Sequence, residues 1–218
     1  MTGIISSGEA FRRIRAVLSI RNQSNMNVIE TIRTQMAESA RIKQRMLEDD
    51  ALVERIEDIA GIMVDAYRSG NKTMWAGNGG SAANAQHMAG ELVNKFSFDR
   101  PGLPALSLST DTSIITAVGN DYGFERLFAR QIEAQGRPGD VFVGISTSGK
   151  SRNLVEALGA CKAKGIKSVA IVGADECPMD DYDYVIHVPS RSTPRIQECQ
   201  TLIGHVLCYL VEQALFGA

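Results

Sequence analysis

Histidine is scarce in this chain, and two of its three copies lie where side chains could do chemistry. His87 and Glu91 are four residues apart in a segment with helical periodicity, so they share one helix face. An imidazole and a carboxylate in that arrangement can hold a metal ion or pass a proton. A solvated ion pair on a helix surface has the same spacing. His187 stands in a strand-like segment, where a structural role is expected.

The other promising histidine, His205, belongs to the last helical segment, which also carries Gln197. Eight residues separate them, a rise of about 12 Å on a straight helix. Both side chains can reach one ion only by stretching towards each other, unless a neighbouring subunit completes the site. A polar stripe on a packed helix explains the same two residues, and the sequence leaves these possibilities open.

Two loops rich in glycine and serine each connect a strand to a helix. The first, 77–81, is Gly-Asn-Gly-Gly-Ser, and the second, 146–151, is Ser-Thr-Ser-Gly-Lys-Ser. Unpaired N–H groups and the helix dipole favour an anion at such positions, and serine hydroxyls add donors. The two loops therefore indicate a phosphorylated ligand. Tight turns in which Ser81 and Ser151 cap their helices are the simpler alternative.

Both loops also match nucleotide-binding patterns, but neither match is convincing. Residues 144–151 fit G-x-x-x-x-G-K-S, yet Gly144 falls inside a predicted strand and no convincing acidic strand end follows. Residues 77–82 fit a loose dinucleotide pattern, yet the second strand ends in Ser-Leu-Ser and lacks the expected acidic residue. A nucleoside triphosphatase and a dehydrogenase are therefore both disfavoured.

An alternation of strands and helices positions these residues. The predicted strands are 73–76, 105–108, 141–145, 168–172 and 185–188. The predicted helices among them are 81–95, 112–118, 124–135, 151–164 and 194–216. Near-continuous apolar strands between helices predict an α/β fold, a three-layer doubly wound five-stranded parallel sheet. Such sheets bind ligands at the carboxyl ends of their strands, where both loops lie.

Two amphipathic helices, 26–47 and 50–67, precede the first strand. Asp49 or Asp50 can cap the second helix, and Gly70 can close it. The apolar stripes of these helices need a partner, either the sheet or another chain. Periodicity is weak before them, so we predict an N-terminal extension (1–25) and one domain (26–218).

Composition limits the classes of function. The 218 residues are enough for one domain with a sizeable core. A net charge of -2 without a basic block gives no sign of a nucleic-acid partner. The four cysteines form no CxxC pair, as is typical of reduced thiols. With no signal peptide and no apolar run of about 18 residues, we expect a cytoplasmic protein without a membrane partner.

Six motifs, in order along the chain, resemble the phosphoheptose (sedoheptulose-7-phosphate) isomerases, which have the sugar isomerase (SIS) fold. They lie at 77–81, 86–92 (QHMAGEL), 100–105 (RPGLPA), 118–123 (VGNDYG), 144–149 (GISTSG) and 195–198 (RIQE) followed by His205. The resemblance covers about residues 26–216. It implies an aldose–ketose isomerase that converts sedoheptulose 7-phosphate to D-glycero-D-manno-heptose 7-phosphate, for ADP-heptose and lipopolysaccharide core synthesis.

The resemblance also implies roles for residues at matching positions. It places the substrate phosphate at Ser81, Ser146, Thr147, Ser148 and Ser151. It places the sugar at Asn78, Gly79, Gly80, Glu91, Asn120, Asp121 and Gln197. It implies a zinc site formed by His87, Glu91, Gln197 and His205. It implies a homotetramer with active sites at subunit contacts, which would suit the two exposed helices.

The catalytic pair implied by the resemblance is Glu91 and His205. Glu91 would move a proton between C1 and C2 through an enediol, and His205 would move one between O1 and O2. Zinc would polarise the ketone. Because a carboxylate bound tightly to zinc is a weaker base, the two implied roles of Glu91 compete.

Two alternative functions stay open. Residues 81–87 also resemble a non-catalytic SIS regulator that binds the replication initiator DnaA, but that relative lacks the counterparts of Glu91 and His205. An isomerase of another sugar phosphate would keep the chemistry and change the substrate.

The chain departs from the family pattern in two places. The loop 173–178 lacks a common Gly-Gly, and Gln200 stands where some members have histidine. We expect neither to contact the predicted site residues directly, although both bear on local loop shape.

Overall fold

The structure is a computed structural model that describes residues 8–9 and 27–217. The chain divides into two compact units, Met1–Arg41 and Ile42–Ala218. The predicted extension, 1–25, lies outside the described residues except for 8–9, so its boundary stays a prediction. In the first unit, helix α1 (Val28–Leu47) begins after Asn27, whose side chain accepts a hydrogen bond from the Ile29 N–H at 3.1 Å.

The second unit is built on a five-stranded sheet whose neighbouring strands are all parallel. The strands are β1 (Thr73–Gly77), β2 (Ala105–Ser107), β3 (Val141–Ile145), β4 (Lys167–Val172) and β5 (Tyr184–His187), in the spatial order β2-β1-β3-β4-β5. Strand order reverses between β1 and β3, where Gly77 pairs with Ile145. The loops after these two strands therefore begin side by side, at the switch point where such folds bind ligands.

Helices cover both faces of this sheet. They are α2 (Asp50–Arg68), α3 (Gly80–Val93), α4 (Thr112–Asp121), α5 (Leu127–Gln135), α6 (Arg152–Lys164) and α7 (Thr193–Phe216). One apolar core joins the sheet to α2, α3 and α7, and the other joins it to α4, α5 and α6. The predicted three-layer α/β fold with a parallel sheet and N-terminal helices is confirmed.

The sheet is buried on both faces, as its apolar strands predict. Successive residues alternate between the two cores, so Trp75 packs in one core while Met74 and Phe142 pack in the other. All three side chains are fully buried. Each contributes about 1.5–3 kcal/mol or more of apolar burial, and together they hold β1 and β3 rigid beneath the two loops.

Most element boundaries agree with the predicted ones to within a few residues. β3 matches its predicted range, and Asp49 caps α2 by accepting a hydrogen bond from the Leu52 N–H at 3.1 Å. The segment 124–135, predicted as one helix, is a 3₁₀ turn (Phe124–Arg126) followed by α5, after Gly123 at φ +89°. α4 continues beyond its predicted end at 118.

Helix α7 is the one described helix that is long and apolar enough to cross a membrane by length and composition. No such segment was expected, because no uninterrupted apolar run in the sequence reaches about 18 residues. Many of its side chains are buried in the core that also contains α2 and α3, including Ile203, Leu207 and Val211. This packing is typical of a core helix, for which the same apolar composition is needed.

Candidate active site

Helices α3 and α7 run side by side in the same direction, and the predicted reactive residues are distributed along them. Residues that contact each other across the two helices are between 113 and 118 positions apart in sequence. The Asn84 amide donates to the Gln197 carbonyl at 3.3 Å, and the Thr201 hydroxyl donates to the Asn84 side chain at 2.9 Å. One turn further, Met88 contacts Gly204, where the missing side chain permits a close approach.

His87, Glu91 and His205 come together where the second half of α3 lies against the middle of α7. Their ligating atoms all lie within 4.8 Å of one another. The two Nε2 atoms of the histidines are 2.8 Å apart, and His87 Nε2 lies 3.6 Å from Glu91 Oε1. Glu91 and His205 are partly buried and His87 is exposed. The cluster can therefore hold a metal ion to which a ligand from solvent still has access.

Gln197 lies near the first turns of both helices, away from this cluster. Its side chain contacts Gly80, at the first turn of α3, so closely that a Cβ added to Gly80 would displace it. His205 is two turns further along α7, about 12 Å by helix rise. Within one chain the structure does not bring Gln197 to the cluster, and its role as a metal ligand stays a prediction.

The first loop joins β1 to α3 and is tied to the neighbouring strands. Gly79 has φ +53°, and its carbonyl accepts the hydrogen bond from the Ala83 N–H. The Asn78 amide exchanges two hydrogen bonds with the buried Asn153 of α6, at 2.9 and 3.0 Å. Ser81 is buried against the turn. The loop is therefore fixed to the start of the helix that follows the second loop.

The second loop folds back on itself through its own hydroxyl groups. Ser146 Oγ accepts a hydrogen bond from the Gly149 N–H at 3.0 Å and lies 3.3 Å from Ser151 Oγ. Ser148 Oγ accepts from the Lys150 N–H at 3.2 Å. Gly149 has φ +63°, which permits the tight turn.

Neither loop uses its serine as a helix cap. The N-cap of α3 is Gly79, and Ser151, the N-cap of α6, makes no side-chain capping hydrogen bond. The simpler interpretation of Ser81 and Ser151 as capping residues is therefore not what the structure has. At the start of α3, the N–H groups of Ser81 and Ala82 already donate to the carbonyls of Asn78 and Gly79. The first turn of α6 is therefore the better place for an anion.

A cavity of about 160 Å³ lies beside the second loop, where the loops after β3, β4 and β5 converge. Its lining includes Thr147, Ser148 and Lys150 from the second loop. On the opposite side, the guanidinium of Arg191 pairs with Asp175 at 2.6 Å. The cavity thus carries two cations and one carboxylate, which favours an anionic occupant.

Asn120 and Asp121 lie in the last turn of α4, not in a loop. The Asn120 amide donates to the Asp121 carboxylate at 2.7 Å, and both residues are exposed. In the part of the chain that the structure describes, neither side chain hydrogen-bonds to the two loops or to the cluster. Their place at the substrate stays a prediction.

The expectation that Gln200 and the loop 173–178 do not contact the predicted site residues is wrong. The buried Gln200 side chain donates to the Ser146 carbonyl at 3.0 Å and to the Ile171 carbonyl at 2.8 Å. Gly173 packs so tightly that an added Cβ would lie 2.5 Å from the Thr147 carbonyl oxygen. Both therefore support the second loop.

Sequence reasoning also missed Asn153, Arg100 and Glu212. Asn153 holds the first loop, and Arg100 pairs with Glu212 in the interior. Glu212 had a detectable signal, because it is a charged residue on a helix face that is otherwise apolar. His187 has the structural setting expected for it: its Nδ1 lies 2.9 Å from the Gly173 carbonyl oxygen and its Nε2 lies 3.0 Å from Asp180.

Comparison with known proteins agrees with this arrangement. The family model of the SIS domain matches residues 34–173. Phosphoheptose isomerase 2 of Campylobacter jejuni is 53% identical over 192 residues, which are 88% of this chain and 96% of that protein. The chain belongs to the SIS-domain family of phosphoheptose isomerases.

Other members of the family support the same assignment. Phosphoheptose isomerase of Aneurinibacillus thermoaerophilus is 54% identical over 186 residues, 85% of this chain and 94% of that protein. The solved structure of a phosphoheptose isomerase from Francisella tularensis superposes with a TM-score of 0.82 at 35% identity, covering 86% of this chain and all of that one. The region that the SIS model matches, residues 34–173, contains α3 and both loops.

Proposed function

We propose that this chain is an aldose–ketose isomerase that converts sedoheptulose 7-phosphate to D-glycero-D-manno-heptose 7-phosphate. The observation that carries the proposal is the meeting of His87 and Glu91 with His205, which is 118 residues from His87 in sequence. Membership of the phosphoheptose isomerase family supplies the substrate class.

The substrate phosphate binds at the second loop. Ser146, Thr147, Ser148 and Ser151 provide hydroxyl groups there, and Ser81 adds one from the first loop. The start of α6 has no side-chain cap, so the first N–H groups of this helix can donate to an anion. Binding energy gained at this remote end orients the sugar carbons C1 and C2 without taking part in the chemistry.

Proton transfer takes place at the cluster. The Glu91 carboxylate takes the proton from C1 and returns it to C2 of the enediol, while the His205 imidazole moves a proton between O1 and O2. Both side chains are partly buried, which limits exchange with water. Asn78, Gly79, Gly80, Asn120, Asp121 and Gln197 are the residues proposed to bind the sugar.

The cluster has a suitable donor set for zinc. Two imidazole nitrogens and one carboxylate, with a fourth position open, are ligands of a kind found in catalytic zinc sites. His87 and His205 would hold the ion with Glu91, and Gln197 would join them only through a change in its position or from a neighbouring subunit. A bound zinc ion supplies a Lewis acid that polarises the ketone.

We also propose a homotetramer in the cytoplasm, with no nucleic-acid or membrane partner. Leu47 and Val53 of the N-terminal helices and Leu202 and Tyr209 of α7 are large apolar side chains that are exposed in the single chain. Contacts between copies of the chain would cover them. The DnaA-binding alternative is disfavoured, because Glu91 and His205 are both retained and lie in one cluster.

Deuterium incorporation tests this function directly. The purified, zinc-loaded protein is incubated with sedoheptulose 7-phosphate in deuterated water and followed by NMR. We expect a heptose 7-phosphate that carries deuterium at C2, as an enediol requires. Product without deuterium would keep the isomerase but exclude open proton exchange. No conversion by folded, zinc-loaded protein would overturn the substrate assignment, and activity on a different sugar phosphate would replace it.

A further inference from the structure

A buried ion pair lies directly beside the His87–Glu91–His205 cluster. Arg100 Nε is 2.9 Å from Glu212 Oε1, and the two side chains are 1% and 0% exposed. Arg100 follows α3, and Glu212 lies on α7, two turns beyond His205. A buried pair of this kind costs desolvation free energy that apolar residues would not, so its retention needs a reason.

The Arg100 side chain caps the helix that carries Glu91. Its guanidinium donates to the backbone carbonyl of Glu91 at 3.0 Å and to that of Leu92 at 2.8 Å. Carbonyls in the last turn of a helix have no partner within the helix, and a cation there complements the helix dipole. The backbone of Glu91 is therefore held directly by Arg100.

The Glu212 carboxylate holds the segment that follows α3. It accepts hydrogen bonds from the N–H groups of Phe96, at 2.8 Å, and Ser97, at 2.6 Å. The Phe96 ring in turn lies against the imidazole of His205, with ring centroids 5.5 Å apart. Burial raises the pKa of Glu212, but these N–H groups and Arg100 outweigh it and hold the pKa below its ordinary value, so the carboxylate stays charged.

We propose that Arg100 and Glu212 are positioning residues that fix Glu91 on α3 relative to His205 on α7. The inference rests on the proposed function. Hydrogen bonds link the ion pair to the Glu91 backbone on one side, and the Phe96 ring links it to His205 on the other. Without the pair, the end of α3 loses its cap and the cluster loses its fixed spacing, to which catalysis is sensitive.

Two variants test this inference, and a third controls for simple loss of stability. Glu212→Gln removes the charge and keeps the shape, and Arg100→Lys keeps the charge but loses the planar fork of donors. Asp140→Asn breaks a different buried ion pair, with Lys72, at the amino ends of the strands. For each folded protein we measure zinc affinity by titration with Zn²⁺ alone, and kcat and KM with the sugar phosphate.

We expect Glu212→Gln and Arg100→Lys to lower kcat by about 100-fold and zinc affinity by about tenfold, while KM stays near the wild-type value. Asp140→Asn should lose stability but keep both. Wild-type kcat and zinc affinity in the two variants, or equal losses in Asp140→Asn, would overturn the inference. If Glu212→Gln does not fold, Arg100→Lys decides. If the wild type does not isomerise the sugar, zinc affinity still tests the positioning role separately from the proposed function.

Discussion

Polar groups differ between the two ends of the parallel strands, here called the amino edge and the carboxyl edge of the sheet. At the amino edge, the buried Asp140 carboxylate accepts hydrogen bonds from the Lys72 N–H at 3.1 Å, the Asn71 amide at 3.1 Å and the Arg137 N–H at 2.8 Å, and it pairs with the Lys72 ammonium. At the carboxyl edge, the helices that follow β1 and β3 begin without a side-chain cap.

This difference separates polar groups that stabilise the fold from polar groups that are accessible to a ligand. A carboxylate whose lone pairs are all occupied has no capacity left for chemistry, and it stabilises the loops that it joins. The partly exposed His–Glu–His cluster, by contrast, has lone pairs on the surface side that a ligand can use. Substitutions at the amino edge should therefore change stability, whereas substitutions at the carboxyl edge should change activity.

The largest effect is expected for Glu91→Gln. Because the amide cannot accept the proton from C1, kcat should fall by about 10³-fold. Affinity for inorganic phosphate, measured by calorimetry, should stay close to wild type, since the second loop is unchanged. The matched control is Glu133→Gln, which removes a partly exposed carboxylate of α5 that pairs with Arg126 of the preceding 3₁₀ turn. Wild-type turnover in Glu91→Gln would contradict the assigned role.

Asp140→Asn should reduce stability without reducing kcat. Loss of the buried charge should lower the free energy of unfolding by about 3 kcal/mol at pH 7, as urea denaturation can measure. Burial raises the pKa of Asp140, but Lys72, Arg137 and Asn71 outweigh it and hold the pKa below its ordinary value.

The pH dependence of this variant gives the sign of the effect. A carboxylate with a lowered folded pKa stabilises fully above its unfolded pKa of about 3.9, and the contribution is lost as pH falls through the folded value. The stability difference between wild type and Asp140→Asn should therefore shrink on acidification below about pH 4. A difference that stays constant down to pH 2 would show that charge is not its cause.

Ser151→Ala should raise KM for the sugar phosphate by about tenfold, the equivalent of one hydrogen bond to a charged group. kcat should change less, because the reacting carbons are remote from the phosphate. The control is Ser168→Ala, which removes a buried hydroxyl that donates to Asp183 at 2.8 Å near the amino edge. An unchanged KM together with lower stability would contradict phosphate binding by Ser151 and indicate that its hydroxyl only stabilises the start of α6.

The smallest effect is expected for Gln200→Met. The substitution conserves volume and removes the two donors that serve the Ser146 and Ile171 carbonyls, which should lower the free energy of unfolding by about 1–2 kcal/mol. Because Ser146 begins the second loop, KM should rise slightly as well. A thermal unfolding series with KM measurements checks both, and a KM rise larger than that of Ser151→Ala would reverse the ranking.

Local features of the fold were predictable from sequence because short-range rules decide them. A near-continuous apolar run gave the bounds of β3, and the i, i+4 spacing placed His87 and Glu91 on one face of α3. Contacts between distant segments have no such rule. The 2.8 Å approach of His87 to His205 depends on how α3 and α7 pack, which their separate sequences do not encode.

The same limit explains the residues that were missed or misjudged. The eight-residue gap between Gln197 and His205 correctly indicated that the two side chains are far apart. In the structure, Gln197 packs against Gly80 and not against the cluster. Gln200 and Asn153 act through hydrogen bonds to loops on other elements, which spacing does not reveal. Arg100 and Glu212 are 112 residues apart in sequence, and only the fold brings them together.

The side-by-side packing of α3 and α7 makes the site intolerant of length changes. One residue inserted in α3 between Gly80 and His87 would turn His87 by about 100° around the helix axis and move it by about 1.5 Å. The imidazole would then lose its contact with His205, while the first loop stayed intact. In evolutionary terms, substitutions can accumulate on the outer faces of this helix pair, but insertions and deletions between its two ends would be eliminated.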